Sequence, residues 1–360
     1  MAENHQNPKD FSSVSSNEAA HILVIRLSAM GDVAMTVPVL RVLTATYPNL
    51  KISVLTRGFF KPMFEGISGV SVYKADIKGV HSGVIGLARL AKELRDSGID
   101  KVADLHNVLR SNVLKSVFYL FGIPVKQIDK GRSEKKALTR ENNKVFKQLK
   151  PTIQRYADVF EALGYPLDLK QHQFPEKKKL SEKIRKLLGN DSKKWLGIAP
   201  FAQHASKAYP TDLMEEVLRE LSENSKIKVL LFGGGAAEEE KLESWAKKFK
   251  NTLSIAGKLT LAEELALITN LDAMLAMDSG NAHMAAMYGI PVISLWGVTH
   301  PYAGFAPFNQ APENSLLPDL EKFPKIPTSV YGNKFPEGYE KAIRSIPSKS
   351  VLKKIDEVLF

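Results

Sequence analysis

One stretch of the chain combines small, acidic and imidazole side chains in a spacing that could hold an anionic ligand. Residues 275–286 have the pattern of a buried strand, a tight turn and the start of a helix. The turn is formed by Asp278, Ser279 and Gly280, and His283 follows within the first helical turn. Free backbone N–H groups and the helix dipole at such a start favour negative charge. The alternative is an ordinary strand-to-helix turn with a capping serine and a surface histidine.

A carboxylate stands at a similar junction near the beginning of the chain. The apolar run 22–25 predicts a strand, and Gly31 lets the chain turn tightly before a helix. Asp32 would then lie at the helix start, where a carboxylate can accept a proton from a substrate hydroxyl. The alternative is a plain N-cap aspartate, which is the commoner role for such a residue. The G-x-G-x-x-G fingerprint of dinucleotide-binding proteins is absent from this turn.

Two further loops after predicted strands carry groups suited to a nucleotide diphosphate. Lys207 follows the strand 195–200 and could hold a diphosphate as a point charge, but the chain has 50 Lys and Arg, and a solvated loop lysine is the alternative. The glycines 233–235 would let a nucleotide approach the backbone closely, and Glu238 or Glu239 could bind its ribose hydroxyls. We choose Glu239; the alternative is a flexible turn before an acidic helix start.

These groups depend on an alternation of strands and helices that occurs twice along the chain. Short apolar runs predict strands at 22–25, 51–56, 71–73, 101–105, 195–200, 228–232, 273–277 and 291–296. Periodic stretches between them predict helices, including one long basic helix over 134–163. Two such alternations predict an α/β protein with two doubly wound, Rossmann-like domains. Ligands of such sheets bind beyond the carboxyl ends of the strands, so two facing domains would place the active site in a central cleft.

The domain prediction has four parts. Residues 1–20 are polar and rich in Ser and Asn, which predicts a disordered leader rather than a signal peptide. Residues 21–175 would form an N-terminal domain, and residues 176–347 would form a second domain after a linker that contains Pro and Lys. The segment 348–360 is amphipathic, and we expect it to pack back on the N-terminal domain as a helix.

Composition narrows the class of protein. With 360 residues, of which 44% are hydrophobic and 25% charged, the chain has the makeup of a globular protein and is long enough for two cores. The absence of cysteine excludes disulfides, thiolate metal sites and cysteine nucleophiles, and it fits a cytoplasmic location. The formal net charge of +11 favours acidic partners such as nucleic acid, an anionic membrane or a phosphorylated substrate. No apolar run of about 18 residues occurs, so no membrane span is predicted.

The order of the motifs resembles that of a known family. Residues 255–301 contain Ala-Gly-Lys-Leu-Thr, then Asp-Ser-Gly-x-x-His, then Gly-x-Thr-x-Pro, with the spacing of the bacterial heptosyltransferases of glycosyltransferase family 9. Residues 25–38, which include Ile-Arg-Leu-Ser-Ala-Met-Gly-Asp-Val and Thr-Val-Pro, are similarly close. The likeness covers residues 20–305. It implies the GT-B fold, which agrees with the two sheets predicted above.

The resemblance also implies an activity. It implies inverting transfer of heptose from ADP-heptose to the Kdo region of the lipopolysaccharide core on lipid A, with Asp32 as the general base. The donor would be bound by Lys207, Glu239, Asp278, Ser279, Gly280 and His283. No Asp-x-Asp triplet and no His/Asp/Glu cluster at metal-ligand spacing occurs, so neither a metal nor another cofactor is expected.

The acceptor of this family carries carboxylates and phosphates and lies in the inner membrane. Basic side chains of the N-terminal domain would bind it, and segment 126–150, with nine Lys or Arg against three Asp or Glu, is one candidate, with a solvated helix face as the alternative. Individual acceptor candidates are Arg57, His106, Asn107, Arg110 and Arg155. We expect a monomer, cytoplasmic or peripheral on the inner membrane, with no nucleic-acid partner.

Two other functions remain open on the sequence. Another enzyme with two Rossmann-like domains, either an epimerase or a transferase with a different sugar donor, would share the fold and the anion site. A basic membrane- or nucleic-acid-binding protein with a degenerate nucleotide site would fit the charge, although the chain has neither aromatic-interleaved basic stripes nor a helix-turn-helix. The residues do not specify which heptose or which acceptor hydroxyl is used.

Overall fold

The computed structural model describes residues 19–360, so all but the last two residues of the leader predicted at 1–20 lie outside the described residues. The chain divides into two compact units. The first unit is the part up to Leu27 together with Pro38–Ile128 and Gln154–His172. The second unit is Ser28–Val37, Asp129–Ile153 and Gln173–Phe360. The predicted boundary at residue 175 therefore holds only for the main body of each unit, because two shorter segments belong to the second unit.

The first unit contains a parallel sheet of five strands. They are β1 (His21–Ile25), β2 (Lys51–Thr56), β3 (Val70–Lys74), β4 (Lys101–Asp104) and β5 (Val125–Gln127). Their order across the sheet is β3-β2-β1-β4-β5. The central strand β1 is a continuous apolar run that is buried at four of its five positions, as expected for a strand covered by helices on both faces.

The second unit contains a parallel sheet of six strands. They are β6 (Lys194–Ala199), β7 (Ile227–Leu231), β8 (Thr252–Ser254), β9 (Ala273–Met277), β10 (Val292–Leu295) and β11 (Ser315–Leu316). Across the sheet the strands have the order β8-β7-β6-β9-β10-β11. Successive strands are added toward one edge from β6 to β8 and toward the other edge from β9 to β11. The point between β6 and β9 is the switch point where doubly wound sheets bind ligands. Ala199 pairs with Ala276, so these two strands end at the same level. Both Rossmann-like sheets predicted from the sequence are confirmed.

Twelve α-helices occur in the described part of the chain. They are α1 (Met30–Ala34), α2 (Thr36–Thr46), α3 (Gly83–Asp96), α4 (Leu109–Leu120), α5 (Arg132–Thr139), α6 (Thr152–Ala162), α7 (Glu182–Leu188), α8 (Thr211–Glu223), α9 (Ala236–Lys248), α10 (Leu261–Ile268), α11 (Gly280–Ala286) and α12 (Ser348–Leu359). Within residues 19–360, none of these helices is long and apolar enough to cross a membrane.

The long helix predicted over 134–163 is wrong. The chain forms α5 and α6 there, and residues 140–151 between them are not helical. Pro151 has no backbone N–H and disfavours helical geometry at the residue before it, so a helix can begin after it but not run through it. Asn143 adopts a positive φ of 51°, which also ends a right-handed helix.

The C-terminal helix α12 also differs from the expectation that it packs on the N-terminal domain. Its apolar stripe, Val351, Ile355 and Leu359, is buried in the core of the second unit. Leu218 and Leu221 of α8 belong to the same cluster, and the two helices contact each other. The amphipathic pattern predicted the helix correctly, but the pattern does not specify which apolar face it covers.

Candidate functional site

A cavity of about 200 Å³ lies in the second unit beside the ends of β6 and β9. Six of the predicted site residues line it, namely Asp32, Lys207, Asp278, Ser279, Gly280 and His283. The other lining residues are Ala29, Gly31, Met35, Gln203, Phe305, Val330 and Tyr331. The structure thus brings the Met30-Gly31-Asp32 turn and the Asp-Ser-Gly-x-x-His motif to one place, although about 250 residues separate them in sequence.

An ion pair forms one wall of this cavity. Nζ of Lys207 lies 3.1 Å from Oδ2 of Asp278, and the two side chains are only 12% and 10% exposed. The hydroxyl of Thr299 donates a second hydrogen bond of 2.9 Å to the same carboxylate oxygen. Asp278 therefore holds the ammonium group of Lys207 at the cavity wall, and the alternative of a solvated loop lysine does not describe this residue.

The Gly-x-Thr-x-Pro motif has a steric explanation. A Cβ at Gly297 would lie 1.8 Å from the carbonyl oxygen of Ser206, so only glycine lets the loop after β10 approach the loop that carries Lys207. The N–H of Val298 donates to that same carbonyl. This close approach brings Thr299 within hydrogen-bonding distance of Asp278, so the motif assembles the wall described above.

His283 is buried rather than on the surface. Its side chain lies in the first turn of α11, and 7% of its area is exposed. Burial lowers the pKa of His283 below its ordinary value; Asp278 and Asp32 oppose the shift, and Lys207 adds to it. The imidazole is therefore neutral at pH 7. Among the described residues no group hydrogen-bonds to its buried Nδ1, which leaves this nitrogen for a ligand.

Ser279 occupies the N-cap position of α11 but does not act as a cap. Its side chain makes no capping hydrogen bond, and within residues 19–360 its buried hydroxyl has no hydrogen-bond partner. A buried hydroxyl without a partner is uncommon and is satisfied when a ligand supplies the missing acceptor. The geometry thus favours ligand binding over helix capping at this residue.

Asp32 is held at the cavity by the short helix α1. Ala29 is the N-cap of that helix and Asp32 is its third residue, whose Oδ2 accepts a 3.3 Å hydrogen bond from the N–H of Ala29. Helix α1 packs against α11 at a glycine. A Cβ at Gly31 would lie 2.7 Å from Cδ2 of His283, so the absence of a side chain lets the carboxylate and the imidazole share one cavity.

The two glutamates of the glycine-rich loop bond to different parts of it. Oε2 of Glu238 accepts from the N–H of Gly234 at 2.9 Å, and Oε1 of Glu239 accepts from the N–H of Gly235 at 3.2 Å. Only Glu239 also faces the Ala-Gly-Lys motif, since a Cβ at Gly257 would lie 2.7 Å from its Oε2. Glu239 therefore lies between the glycine-rich loop and Gly257 of the Ala-Gly-Lys motif. Neither glutamate lines the cavity of Asp32.

Three cavity residues that the sequence did not indicate come from segment 301–347, which has no periodic apolar pattern. Phe305 and Tyr331 line the cavity with their ring centroids 6.5 Å apart, and Val330 lies beside them. The hydroxyl of Ser206 donates to the carbonyl of Gly332, and a Cβ at Gly332 would lie 2.7 Å from Cγ of Lys207. The turn at Tyr331 is thus packed against the stem of Lys207, but no periodic pattern marks it in the sequence.

The acceptor candidates lie in the first unit. Arg57 directly follows β2 and is exposed, with its guanidinium 5.2 Å from the ring centre of Phe60. His106 and Asn107 follow β4, and their N–H groups both donate to Oδ1 of Asp104. Arg110 is exposed in the first turn of α4. These four residues follow the carboxyl ends of β2 and β4, the two strands that flank β1, whereas Arg155 is buried in α6.

The basic segment 126–150 does not belong to the N-terminal unit as predicted. Residues 129–153 are part of the second unit, where Leu138 and Leu149 form an apolar cluster with Ala303. Nζ of Lys144 donates to the carbonyls of Lys325 and Pro327, and burial lowers the pKa of this lysine. The apolar residues between the basic ones pack the segment against the second unit. The charge pattern of the segment does not indicate this contact.

Metal-binding groups are not assembled in the described part of the chain. Among residues 19–360, no group of three or more His, Cys, Asp or Glu side chains lies close enough to hold a metal ion. Asp32, Asp278 and His283 line the same cavity but do not form such a group.

Known proteins resemble this chain along most of its length. A family model described as glycosyltransferase family 9 (heptosyltransferase) matches residues 87–330. A lipopolysaccharide core heptosyltransferase of Haemophilus influenzae is 27% identical over 305 residues, which cover 82% of each chain. A lipooligosaccharide heptosyltransferase 2 of the same species is 29% identical over 302 residues, covering 78% of this chain and 84% of that one.

Solved structures share the fold. A glycosyltransferase family 9 protein of Veillonella parvula superimposes with a TM-score of 0.73 at 20% identity, covering 95% of this chain and 98% of that one. An Escherichia coli heptosyltransferase with ADP-2-deoxy-2-fluoro heptose superimposes with a TM-score of 0.64 at 19% identity, covering 94% and 99%. The GT-B fold predicted from the motifs is confirmed by these neighbours.

Proposed function

Because this chain belongs to glycosyltransferase family 9, we propose that it transfers heptose from ADP-heptose to the Kdo region of the lipopolysaccharide inner core. That the chain is a glycosyltransferase follows from the family. The sugar and the acceptor are proposed because its relatives are lipopolysaccharide and lipooligosaccharide heptosyltransferases. ADP as the nucleotide is supported by the ADP-heptose analogue of the Escherichia coli neighbour.

One observation carries the proposal for the mechanism. The Asp32 carboxylate and the Lys207–Asp278 ion pair line the same cavity. Transfer of a sugar needs a base for the attacking hydroxyl and a positive group for the departing diphosphate, and both must act on one bound donor. A cavity with a carboxylate and an ammonium group on its wall meets that requirement.

The proposed reaction is a single displacement. Asp32 takes the proton of the acceptor hydroxyl, and the hydroxyl oxygen forms a bond to the anomeric carbon of the heptose. The bond from that carbon to the ADP oxygen breaks on the opposite side, which inverts the configuration. The electron pair of the breaking bond stays on the ADP oxygen. Lys207 balances the negative charge that grows there, and the Ser279 hydroxyl donates a hydrogen bond to the diphosphate. These protein groups supply the charge balance without a metal in this scheme.

The neutral imidazole of His283 has a defined part in this scheme. Its pKa is lowered by burial, so it does not compete with Lys207 as a cation near neutral pH. Its Nδ1, which has no hydrogen-bond partner among the described residues, can form a hydrogen bond with an oxygen of the bound nucleotide sugar. Glu239, which lies between the glycine-rich loop and Gly257, would accept from the ribose hydroxyls.

The acceptor would be bound by the first unit. Arg57, His106, Asn107 and Arg110 follow the carboxyl ends of β2 and β4, which flank β1 in its sheet, and the cationic ones suit carboxylates and phosphates. Arg155 is buried in α6, so we do not assign it to the acceptor contacts. We further propose a cytoplasmic monomer that meets its lipid-linked acceptor at the inner membrane.

The direct test is acceptor-dependent release of ADP. Purified protein is mixed with ADP-heptose and Kdo-lipid A, and both ADP and the heptosylated lipid are measured. We expect ADP and product to form in equal amounts, and only when both substrates are present. ADP release that ignores the acceptor, or conversion of the donor into a free sugar, would contradict the proposal and point to the epimerase-like alternative.

A further inference from the structure

The first unit exposes apolar side chains at one edge of its sheet. We call the sheet rim the residues 57–61, 75–85 and 105–110, which leave the carboxyl ends of β2, β3 and β4. These ends are level, because Thr56 pairs with Lys74 and Ile25 pairs with both Leu55 and Asp104. Of the seven exposed large apolar side chains in the described part of the first unit, five lie on the rim: Phe59, Val80, Val84, Ile85 and Leu109.

Three of these exposed side chains, Val80, Val84 and Ile85, lie on the loop before α3 or in the first turn of that helix. This loop is held by hydrogen bonds and close packing. The carboxylate of Asp76 accepts from the N–H groups of Gly79 and Val80, which closes the turn before α3. A Cβ at Gly86 would lie 2.6 Å from the backbone of His81, so this turn packs tightly against the helix. The hydrogen-bonded loop and the first turn of α3 therefore carry Val80 and Ile85, which are 61% and 82% exposed.

The charges of the rim favour an anionic partner. Lys61 and Lys78 are exposed, as are Arg57 and Arg110, which we also assign to the acceptor. The one acidic residue of the rim, Asp76, is exposed too, but its carboxylate accepts two hydrogen bonds from its own loop. Apolar tips surrounded by exposed cations are the arrangement with which proteins enter the interface of an anionic bilayer.

We propose that the sheet rim docks on the surface of an anionic phospholipid bilayer, with Val80, Val84, Ile85 and Leu109 entering the interface. This proposal deepens the proposed function, since a lipid-linked acceptor would be reached from that surface. The basic segment 126–150 is not part of the rim, and most of it belongs to the second unit. The surface can be tested without any transfer reaction.

A matched pair of variants tests the docking surface. Ile85 on the rim is 82% exposed, and Leu120 at the last residue of α4 is 85% exposed, roughly 16 Å along that helix from Leu109. Ile85→Glu and Leu120→Glu add the same charge at equally exposed sites. Full-length protein would be co-sedimented with vesicles of phosphatidylcholine and phosphatidylglycerol, and with phosphatidylcholine alone. Circular dichroism and gel filtration would check the fold and the oligomeric state.

We expect wild-type protein and Leu120→Glu to bind the mixed vesicles alike, Ile85→Glu to bind at least about tenfold more weakly, and all three to bind phosphatidylcholine poorly. Equal loss in both variants, or no loss in Ile85→Glu, would overturn the proposal. So would a change of oligomeric state in Ile85→Glu, because it would identify the rim as a contact between copies.

Transfer to a de-acylated Kdo acceptor should be unchanged in Ile85→Glu, and its loss would place Ile85 in the acceptor site instead. If wild-type protein binds the vesicles but transfers no heptose, the result supports the docking surface and contradicts the proposed function.

Discussion

Gly31 lies directly against the imidazole of His283, so close that a Cβ at position 31 would come within 2.7 Å of Cδ2. This contact sets the distance between the helix that carries Asp32 and the helix that carries His283. A methyl group at position 31 must displace either the imidazole of His283 or one of the two helices. The placement of the proposed base relative to the donor site therefore depends on a glycine that has no chemistry of its own.

We predict that Gly31→Ala lowers kcat roughly 100-fold, because a displacement of about 1 Å at a reacting group has an effect of that size. Gly58→Ala is the control. Its Cβ would lie 3.5 Å from Cδ of Lys74, an ordinary contact with a flexible side chain, and Gly58 does not line the cavity, so a much smaller loss is expected. Steady-state kinetics of both variants check this, and equal losses would show that the Gly31 contact has no special role.

The Lys207–Asp278 pair gives a prediction that separates binding from stability. Lys207→Met should weaken ADP-heptose binding by about 10- to 100-fold and also destabilise the protein, because it leaves a buried carboxylate without its cation. Adding Asp278→Asn removes that unpaired charge, so the double variant should regain thermal stability while still binding the donor weakly. Calorimetric titration and thermal melts would measure the two effects.

An exposed ion pair is the control for this prediction. Nζ of Lys183 lies 3.1 Å from Oε2 of Glu263, the same distance as in the buried pair, but the lysine is 56% exposed. Lys183→Met should change neither donor binding nor the melting temperature measurably, since exposed pairs contribute little. A loss of donor affinity in this variant as large as that in Lys207→Met would mean that net charge alone, and not the position of Lys207, governs binding.

The two neighbouring glutamates should differ in their effect on donor binding. Glu239→Gln is expected to raise the dissociation constant for ADP about tenfold, because a charged acceptor of the ribose hydroxyls is lost. Glu238→Gln, one residue away on the same helix, should stay within about twofold of wild type. Titrations with ADP and with a 2′-deoxy analogue would compare them, and the reverse order would assign the ribose to Glu238.

Stability should fall as the solution becomes acidic, and His300 accounts for part of the fall. Burial, with repulsion from Lys144, lowers its pKa from 6.5 to about 4. The unfolded chain takes up a proton near pH 6.5 while the folded chain does not, so the stabilising effect of neutral His300 is present above 6.5 and is lost as the pH falls toward 4. Between pH 7 and pH 5 this loss is about 2 kcal/mol.

His300→Asn is the variant for this prediction. Nδ1 of His300 accepts from the N–H of Tyr302, and an asparagine oxygen can take over that hydrogen bond. We expect the variant to lose about 2 kcal/mol less stability than wild type between pH 7 and pH 5, as measured by denaturant unfolding at each pH. An unchanged difference between the two pH values would exclude His300 as a source of the acid sensitivity.

The strands and the donor motif were predictable because both are local in sequence. Continuous apolar runs such as β9 predict buried strands, and small residues directly after them predict a ligand-binding turn. The Asp278-to-His283 turn is therefore predictable from its own sequence. The burial of its imidazole is not, because His283 packs against Gly31, which lies about 250 residues earlier in the chain.

The remaining differences between the predicted and the observed structure come from contacts between residues that are distant in sequence. Leu149 packs with Ala303, and no pattern near either residue assigns segment 129–153 to the second unit. Tyr331 enters the cavity because Gly332 packs on the stem of Lys207, inside a region without helical or strand periodicity. Such contacts depend on side-chain shape across the folded chain, which hydrophobic periodicity does not encode.

Transfer by Asp32→Asn, measured beside donor binding by the same protein, tests the central claim most directly. The asparagine oxygen can still accept from the N–H of Ala29, so the start of α1 is preserved, but the amide cannot take a proton. With ADP-heptose and Kdo-lipid A, we predict that the transfer rate falls roughly 100- to 10,000-fold while the dissociation constant for ADP-heptose stays within about twofold. A variant that still transfers heptose at the wild-type rate, or that no longer binds the donor, would contradict the role of Asp32 as the base.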